Sequence, residues 1–390
     1  MTISRRSFVE QLGVGGAAAF IGARGHEAWA SVALGEKAPF APEATTDLIL
    51  SSNENPLGPG QHVLDAMRGI LGPDGAGAGR YHFAQINETV EILAKKHGVE
   101  PDNVFIGLGS SQILTVSAEV FTSKDRGVIS PNPTFGTCAR FAELIGHPAK
   151  HIPLDASLYV DLDAMLSESA NAGIVYVCNP NNPTATVHSG RDMRAFVNDV
   201  TKRAPRAIVL VDEAYHEYVT DPEHESLLSL AAEHPNVVVA RTFSKAYGMA
   251  GLRFGFAVGH EDNIKKMSEW RGMDMFTNLP GRVGVVAALA NDEYLNREVA
   301  RNQTVRDFTR TWFHDAGYED TDSQANFVYI DIRQSNEAFK KACRERGLRI
   351  GGGSELYENH ARVTIGTMDE MKRATAIFAE LLSVDEQAVA

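Results

Sequence analysis

The sequence is poor in cysteine, and its three cysteines are widely separated. Cys138, Cys178 and Cys343 form no CxxC pair and no cysteine–histidine cluster with the spacing of metal ligands. The sequence therefore predicts neither a disulfide scaffold nor a metal site.

Basic residues are also in short supply. Lysine and arginine number 37 against 50 acidic residues, which gives a formal net charge of −13. This balance argues against a broad nucleic-acid or anionic-membrane surface, although a local phosphate site needs only a few donors. The spacing of a GxGxxG fingerprint or a Walker loop is missing as well, which disfavours a dehydrogenase or a P-loop enzyme.

The first 30 residues lack a run long and apolar enough for a membrane span. "SRRSFVE" (4–10) resembles the twin-arginine export motif, an apolar stretch follows over 12–21, and "AWA" (28–30) fits a small-x-small cleavage site. Residues 1–30 are thus predicted to be a twin-arginine-type signal segment, with export to the periplasm or beyond, and 31–46 a linker. The alternative is a disordered or amphipathic terminus with a chance arginine pair on a cytoplasmic protein.

The body of the chain alternates short apolar runs with helix-like stretches. Strands are predicted at 103–109, 126–131, 173–180, 206–215 and 236–244, and helices at about 110–122, 136–146, 161–171 and 190–203. This alternation is typical of an α/β fold, with a mostly parallel sheet and helices on both faces. Ligands bind such sheets beyond the carboxyl ends of the strands.

The last hundred residues change character. Residues 282–317 are predicted to form one long helical region, followed by a strand at 325–332, a helix near 335–346, a strand at 361–367 and a helix over 369–383. This order predicts a smaller α+β domain.

The stretch "TFSKAYGMAGLRFGF" (242–256) carries the first chemical pattern. A deprotonated lysine condenses with an aldehyde to a Schiff base, which makes Lys245 a candidate nucleophile. Thr242 and Ser244 flank it, and Arg253 follows eight residues later, so hydroxyls and a guanidinium could converge on a phosphate. Taken alone the spacing is weak, and a surface lysine is the alternative.

Three further motifs follow predicted strands. In "VDEAY" (211–215), Asp212 could cap a helix or hold a ring nitrogen protonated. In "CNPNNPTAT" (178–186), Asn182 has the amide needed to bond a phenolic oxygen. In "GLGSSQIL" (107–114), Ser110 and Ser111 fit either an anion site or an ordinary helix start.

Together these motifs, with "SSNENPLGPG" (51–60), "RYHF" (80–83), "PNPTFGTC" (131–138) and "ARVTIGT" (361–367), resemble fold-type I pyridoxal-phosphate aminotransferases. The likeness covers about residues 47–383 and is strongest for the histidinol-phosphate aminotransferase branch. It implies a large domain over 79–282 with a mostly parallel seven-stranded sheet flanked by helices. It also implies a smaller α+β domain over 283–390, completed by 47–78.

The resemblance implies roles in holding pyridoxal 5'-phosphate. Lys245 would link to the cofactor and shuttle the proton, Asp212 would pair with the pyridinium nitrogen, and Asn182 and Tyr215 would bond the 3′-oxygen. Phe135 would stack on the ring, unless it is simply a core residue. The phosphate would be bound by Ser110, Ser111, Thr242, Ser244 and Arg253.

The resemblance also implies substrate and subunit contacts. Arg362 would clamp the substrate α-carboxylate, the alternative being a surface arginine at a strand start. Asn55, in the segment 53–55, would border the substrate. Tyr81 would reach the cofactor phosphate of a neighbouring subunit, which implies a homodimer with shared active sites.

One departure from the family bears on the substrate. Histidinol-phosphate aminotransferases carry a second arginine where this chain has Gly351, and Arg349 would point to the same side of a strand and could substitute in part. An export segment is also unusual for histidine biosynthesis. Both points favour transfer of the amino group of an ordinary L-amino acid to a 2-oxo acid such as 2-oxoglutarate. The alternatives are histidinol phosphate as the donor, an amino acid decarboxylase of the same fold, and a non-catalytic cofactor-binding module.

Overall fold

The computed structural model describes residues 47–71, 79–270 and 276–384. The predicted signal segment and linker (1–46) lie outside this part of the chain. No helix in the described ranges is long and apolar enough to cross a membrane.

Strands and helices alternate through most of the chain. In chain order the strands are β1 (Leu48–Leu50), β2 (Val104–Gly107), β3 (Val128–Asn132), β4 (Ala149–Pro153), β5 (Ile174–Cys178), β6 (Ile208–Asp212), β7 (Val237–Thr242), β8 (Gly255–Gly259), β9 (Phe327–Asp331), β10 (Leu348–Ile350) and β11 (His360–Thr364). The helices are α1 (Gln61–Leu71), α2 (Ala84–His97), α3 (Ser110–Phe121), α4 (Thr137–Leu144), α5 (Leu162–Glu168), α6 (Gly190–Arg203), α7 (Leu228–Glu233), α8 (Glu261–Glu269), α9 (Leu279–Leu289), α10 (Asp292–Asp315), α11 (Asn336–Glu345) and α12 (Met368–Leu382).

Seven strands form one sheet in the order β2-β8-β7-β6-β5-β3-β4. Strand β8 runs antiparallel to both of its neighbours, and the other pairs are parallel. The predicted mostly parallel seven-stranded sheet is therefore confirmed. The carboxyl ends of β5, β6 and β7 lie side by side at one edge of it.

The central strands of the sheet are buried on both faces, which explains why they are apolar at nearly every position. Along β5, Val175 and Val177 pack with α6 residues such as Phe196 in one core cluster. Tyr176 and Cys178 point the other way and pack with residues of α3 and α4. Every residue of β5 and β6 is buried.

The prediction of secondary structure was wrong in one long helix and incomplete in its strands. Residues 282–317 do not form one helix, because α9 ends at Leu289 and α10 begins at Asp292. The side chain of Asn291 accepts a 3.0 Å hydrogen bond from the backbone N–H of Tyr294 and so starts a new helix. Strand β4 was not predicted, since only Ile152 of its five residues is buried.

Two small sheets organise the rest of the chain. Strand β1 pairs in parallel with β10, and β9 pairs antiparallel with β11. A second core forms here, in which Leu48 and Leu50 pack with Ile350 and Phe378. Helix α1 packs instead on α9, and its Val63 belongs to the core of the large sheet. The domain boundaries at 78 and 282 stay a prediction.

Candidate active site

A cavity of about 220 Å³ opens at the carboxyl edge of the large sheet. Eleven of the thirteen predicted site residues line it, although they are spread over more than 250 positions of the sequence. They are Ser110, Ser111, Phe135, Asn182, Asp212, Tyr215, Thr242, Ser244, Lys245, Arg253 and Arg362. The remaining two, Tyr81 and Asn55, lie elsewhere.

Lys245 lies in the turn that follows β7. Its Nζ donates a 3.1 Å hydrogen bond to the carbonyl oxygen of Ser52 and sits 5.7 Å from the centre of the Tyr215 ring. Burial lowers the pKa of the amine to about 8, and the positive charge of Arg362 acts in the same direction. A substantial fraction of this lysine is therefore neutral, and hence nucleophilic, near pH 8.

Asp212 ends β6 and is almost completely buried, at 1 % exposure. Its Oδ2 accepts a 3.2 Å hydrogen bond from the Tyr176 hydroxyl, whereas its Oδ1 has no partner among the described residues. Burial raises the pKa of this carboxyl to about 6, against the lowering effect of the bonds from Tyr176 and the Ala214 backbone. An unpartnered buried oxygen is costly, and here it belongs to a side chain that lines the cavity.

Tyr215 is held by two amides. Asn53 and Asn182 donate hydrogen bonds of 3.1 and 3.2 Å to its phenol oxygen. Since both amides donate, the phenol keeps its own proton available as a donor. Burial raises the pKa of Tyr215, so the hydroxyl stays protonated at neutral pH.

The hydroxyls and Arg253 form a small polar cluster at one end of the cavity. Thr242 Oγ1 donates to Ser244 Oγ over 2.9 Å, and Arg253 Nη1 donates to the same oxygen over 3.3 Å. Ser110 is the first residue of α3, so the free N–H groups of that helix end face the same place. Gly109 makes the approach possible, because a Cβ there would lie 2.6 Å from Arg253 Nη2.

Neither arginine of the cavity forms an ion pair with an acid among the described residues. The other partners of Arg253 are the carbonyl oxygens of Ala250 and Leu108. Arg362 donates to Asn182 Oδ1 and to the Ser51 carbonyl oxygen, each over 2.7 Å. Its Nε is buried and has no described partner. Burial lowers the pKa of Arg362, as desolvation does for any buried cation.

Gly351 lies against the guanidinium of Arg362. A Cβ at this position would lie 2.8 Å from Arg362 Nε, so a larger side chain requires Arg362 to move. Arg349 is exposed at the middle of β10 and does not line the cavity. The structure thus does not bring a second arginine to the position where Arg349 was expected to substitute.

Two predicted site residues lie outside the cavity. The Asn55 amide is used within the fold, since its Nδ2 donates to the Ala246 carbonyl and its Oδ1 accepts from the Leu57 N–H. Its role at the substrate is therefore not supported by its position. Tyr81 is 89 % exposed and stacks on Phe83 in a separate surface cleft.

The prediction missed three residues that line the cavity, Ser52, Cys178 and Ala214, and included Asn53 only as part of the segment 53–55. Cys178 is the last residue of β5, and Ala214 lies two residues after the end of β6 at Asp212, so their position at strand ends was the available clue. Asn53 had no such signal, because its contacts with Tyr215 and Thr364 join parts of the chain that are 162 and 311 residues apart.

Comparison with known proteins identifies the family. The model for "Aminotransferase class I and II" matches residues 45–378. The histidinol-phosphate aminotransferase of Moorella thermoacetica is 33% identical over 342 residues, with 86% of this chain and 85% of that protein covered. The enzyme of the same name from Brevibacillus brevis is 32% identical over 349 residues, with 87% and 91% covered.

A solved structure shows the same fold. The histidinol-phosphate aminotransferase of Sinorhizobium meliloti in complex with pyridoxal-5'-phosphate superposes with a TM-score of 0.79 at 23% identity, covering 90% of this chain and 93% of that one. At this identity the similarity shows the fold, and the family match over most of the chain shows the family. The chain belongs to the class I and II aminotransferases, which are pyridoxal-phosphate-dependent transaminases, and is similar to histidinol-phosphate aminotransferases.

Proposed function

We propose that this transaminase takes the amino group from an L-α-amino acid whose carboxylate is bound by Arg362, and passes it to a 2-oxo acid such as 2-oxoglutarate. One observation carries the proposal: a partly buried guanidinium, that of Arg362, has only neutral oxygens as described partners and faces the same cavity as Lys245. A buried charge is costly without a counter-charge, and a carboxylate fits the fork of an arginine.

The residues of the cavity fit pyridoxal 5'-phosphate as a resident cofactor. Asp212 Oδ1, which has no described partner, is an acceptor for a protonated pyridine nitrogen. The hydroxyl cluster and Arg253 are donors for a phosphate dianion, and the helix end at Ser110 adds N–H groups. Tyr215, with Asn182 beside it, offers a hydroxyl to the 3′-oxygen, and Phe135 supplies an aromatic ring to the same cavity.

When bound, the cofactor supplies an aldehyde and an electron-withdrawing ring that stabilises charge at the substrate α-carbon. The protein contributes a base, because Lys245 can take a proton from that carbon and return it to another. Arg362 orients the substrate so that the bond to hydrogen faces the lysine. Asp212 keeps the ring nitrogen protonated.

Because Gly351 supplies no second arginine, the cavity favours an ordinary amino acid over a phosphate ester as the substrate. Besides Lys245, the described lining of the cavity contains two cations, of which Arg253 is assigned to the cofactor and Arg362 to the carboxylate. Neither is left for a substrate phosphate. A carboxylate held by Arg362 is also retained rather than lost, which favours transamination over decarboxylation.

We further propose a homodimer with shared sites. The exposed ring of Tyr81 supports it, because Tyr81, Phe83 and Phe276 are 89, 55 and 58 % exposed and line one cleft. Export by the twin-arginine route stays part of the proposal, with "SRRSFVE" as its support. That route carries folded proteins, which suits an enzyme that takes up a cofactor first.

The test is a visible spectrum of the purified, cofactor-loaded protein during addition of single L-amino acids and histidinol phosphate. Loss of the long-wavelength band with an L-amino acid, and its return with 2-oxoglutarate, would support the proposal and identify a donor. A response to histidinol phosphate alone would contradict the substrate assignment. A coloured protein that responds to no compound would favour the non-catalytic alternative.

A further inference from the structure

Tyr176 is a fully buried tyrosine that places a hydroxyl in the core. The side chain is 0 % exposed and packs in the cluster that contains Cys138 and Ala139 of α4. Burial of a hydroxyl is unfavourable unless it finds a partner, and phenylalanine would fill nearly the same volume. The hydroxyl therefore needs a reason beyond packing.

The geometry of the sheet supplies that reason. Tyr176 on β5 is paired with Leu210 on β6, and the next pair on the same face is Cys178 with Asp212. Asp212 is thus the diagonal neighbour of Tyr176, a distance that a long aromatic side chain can span. The Tyr176 hydroxyl donates to Asp212 Oδ2 over 3.2 Å.

This bond gives the two oxygens of the Asp212 carboxylate different surroundings. Oδ2 is occupied by Tyr176, and Oδ1 is left as the oxygen without a described partner in a side chain that lines the cavity. Without the hydroxyl, the carboxylate would keep only its contact with the Ala214 backbone, so Oδ2 would be held less firmly and the group could rotate. The hydrogen bond also favours the charged form of Asp212, since it is made to the ionised oxygen.

Other ionisable groups near Asp212 do not offer the same bond. The Cys178 thiol lies 3.2 Å from the Pro180 carbonyl oxygen, to which it donates. Cys138, on α4, is buried on the same side of the sheet and interacts with Asp212 through charge alone. Lys245 and Glu213 also affect the carboxylate through charge, and Glu213 is turned away to bind Arg241.

We propose that Tyr176 is a positioning residue, which fixes the orientation and the ionised state of Asp212 so that Oδ1 meets the cofactor ring nitrogen. The inference rests on the proposed role of Asp212. Tyr176 acts through that carboxylate and touches neither cofactor nor substrate.

The test compares Tyr176→Phe with wild type in two measurements on the full chain. The first is the dissociation constant of pyridoxal 5'-phosphate, which we expect to rise about tenfold, as for loss of one hydrogen bond to a charged acceptor. The second is the pH midpoint of the visible band of the loaded protein, expected to move upward by about 0.5 pH unit. The reason is that a bound ring whose nitrogen held its proton less firmly would withdraw less charge from Lys245.

Tyr329→Phe is the matched control. Tyr329 is also 0 % exposed, and it donates to no carboxylate among the described residues. It lies on β9 of another sheet, opposite Arg362, whose bonds to Asn182 and the Ser51 carbonyl its loss leaves in place. Both measurements should stay within about twofold of wild type. If Y176F also leaves both unchanged, Tyr176 is a packing residue and the proposal is overturned.

A double-mutant cycle separates this proposal from the function on which it rests. In an Asp212→Asn background, Tyr176→Phe should change the dissociation constant by less than about twofold, because the group through which it acts is gone. A further tenfold effect in that background would mean that Tyr176 acts through packing, and would overturn the proposal. Wild-type affinity in Asp212→Asn alone would instead refute the role of Asp212 itself.

Discussion

The cavity contains two arginines, for which we propose different anions. The surroundings of Arg253 are here called the phosphate end, after the proposed cofactor phosphate, and those of Arg362 the carboxylate end, after the proposed substrate carboxylate. At the phosphate end, Arg253 lies beside Thr242, Ser244 and the start of α3. At the carboxylate end, Arg362 lies against Asn182 and the Ser51 carbonyl. Both guanidinium groups contact neutral oxygens, so both present an uncompensated charge to an anion.

The ends differ in how the chain assembles them. Arg253 and Ser244 are 9 residues apart, and the phosphate end comes from neighbouring strands of one sheet. Arg362 is 180 residues from Asn182 and 311 from Ser51. In the proposed function, the first end, which is built within one sheet, would hold the permanent cofactor. The second joins three distant segments, an arrangement suited to a substrate that comes and goes.

Lys245 lines the same cavity as both arginines, and its removal should have the largest effect. Lys245→Ala removes the base that moves the proton, so we expect kcat to fall by at least about 10⁴-fold. Both ends remain, so the variant should still bind pyridoxal 5'-phosphate, although dialysis should remove it. Turnover at the wild-type rate would refute the mechanism.

Arg362→Ala should damage only the carboxylate end. We expect kcat/KM for the amino donor to fall roughly 100-fold, from the loss of a buried two-pronged ion pair. The dissociation constant of the cofactor should change little. Arg349→Ala is the matched control, since this exposed arginine lies outside the cavity, and it should leave kcat/KM within about twofold.

Arg253→Ala should show the reverse pattern, with a smaller effect. Loss of one charged donor should weaken cofactor binding about tenfold to 30-fold. With saturating pyridoxal 5'-phosphate, KM for the donor should stay close to wild type. A changed KM with unchanged cofactor affinity would show that the two ends are not separate.

The smallest expected effect is a shift of a pH midpoint. Only a neutral amine condenses with an aldehyde, so capture of pyridoxal 5'-phosphate by the cofactor-free protein should speed up as pH rises and level off above about 8, the lowered pKa of Lys245. Arg362 lowers that pKa, so Arg362→Ala should move the midpoint to higher pH. Stopped-flow absorbance measures both, and a downward shift would contradict the assignment.

Sequence alone predicted the parts of the fold that rest on local pattern. Buried strands such as β5 and β6 are apolar throughout, and their ends place Cys178 and Asp212 at the site. Strand β4 was not predicted because only one of its five residues is buried, so its sequence combines polar and apolar residues. The break at Asn291 escaped because a single capping side chain decides it within a long helical pattern.

The site also contains residues that local pattern predicts and residues that only contacts across the fold determine. Phosphate-end residues follow strands or start a helix, and that position made them predictable. Asn53 and Asn55 occur in one motif, yet only contacts across the fold decide that the first faces Tyr215 and the second is used internally. Likewise, only the structure shows that Gly351 lies against Arg362, so that a larger side chain there would displace the guanidinium.

The amide of Asn182 contacts Arg362 without neutralising its charge. Its Oδ1 accepts from Arg362 while its Nδ2 donates to Tyr215. An aspartate has nearly the same shape, but it would neutralise Arg362 from within and act as a built-in competitor of every substrate. It would also lose the donor to the phenol. One nitrogen in place of one oxygen therefore keeps the enzyme open to amino acids from outside.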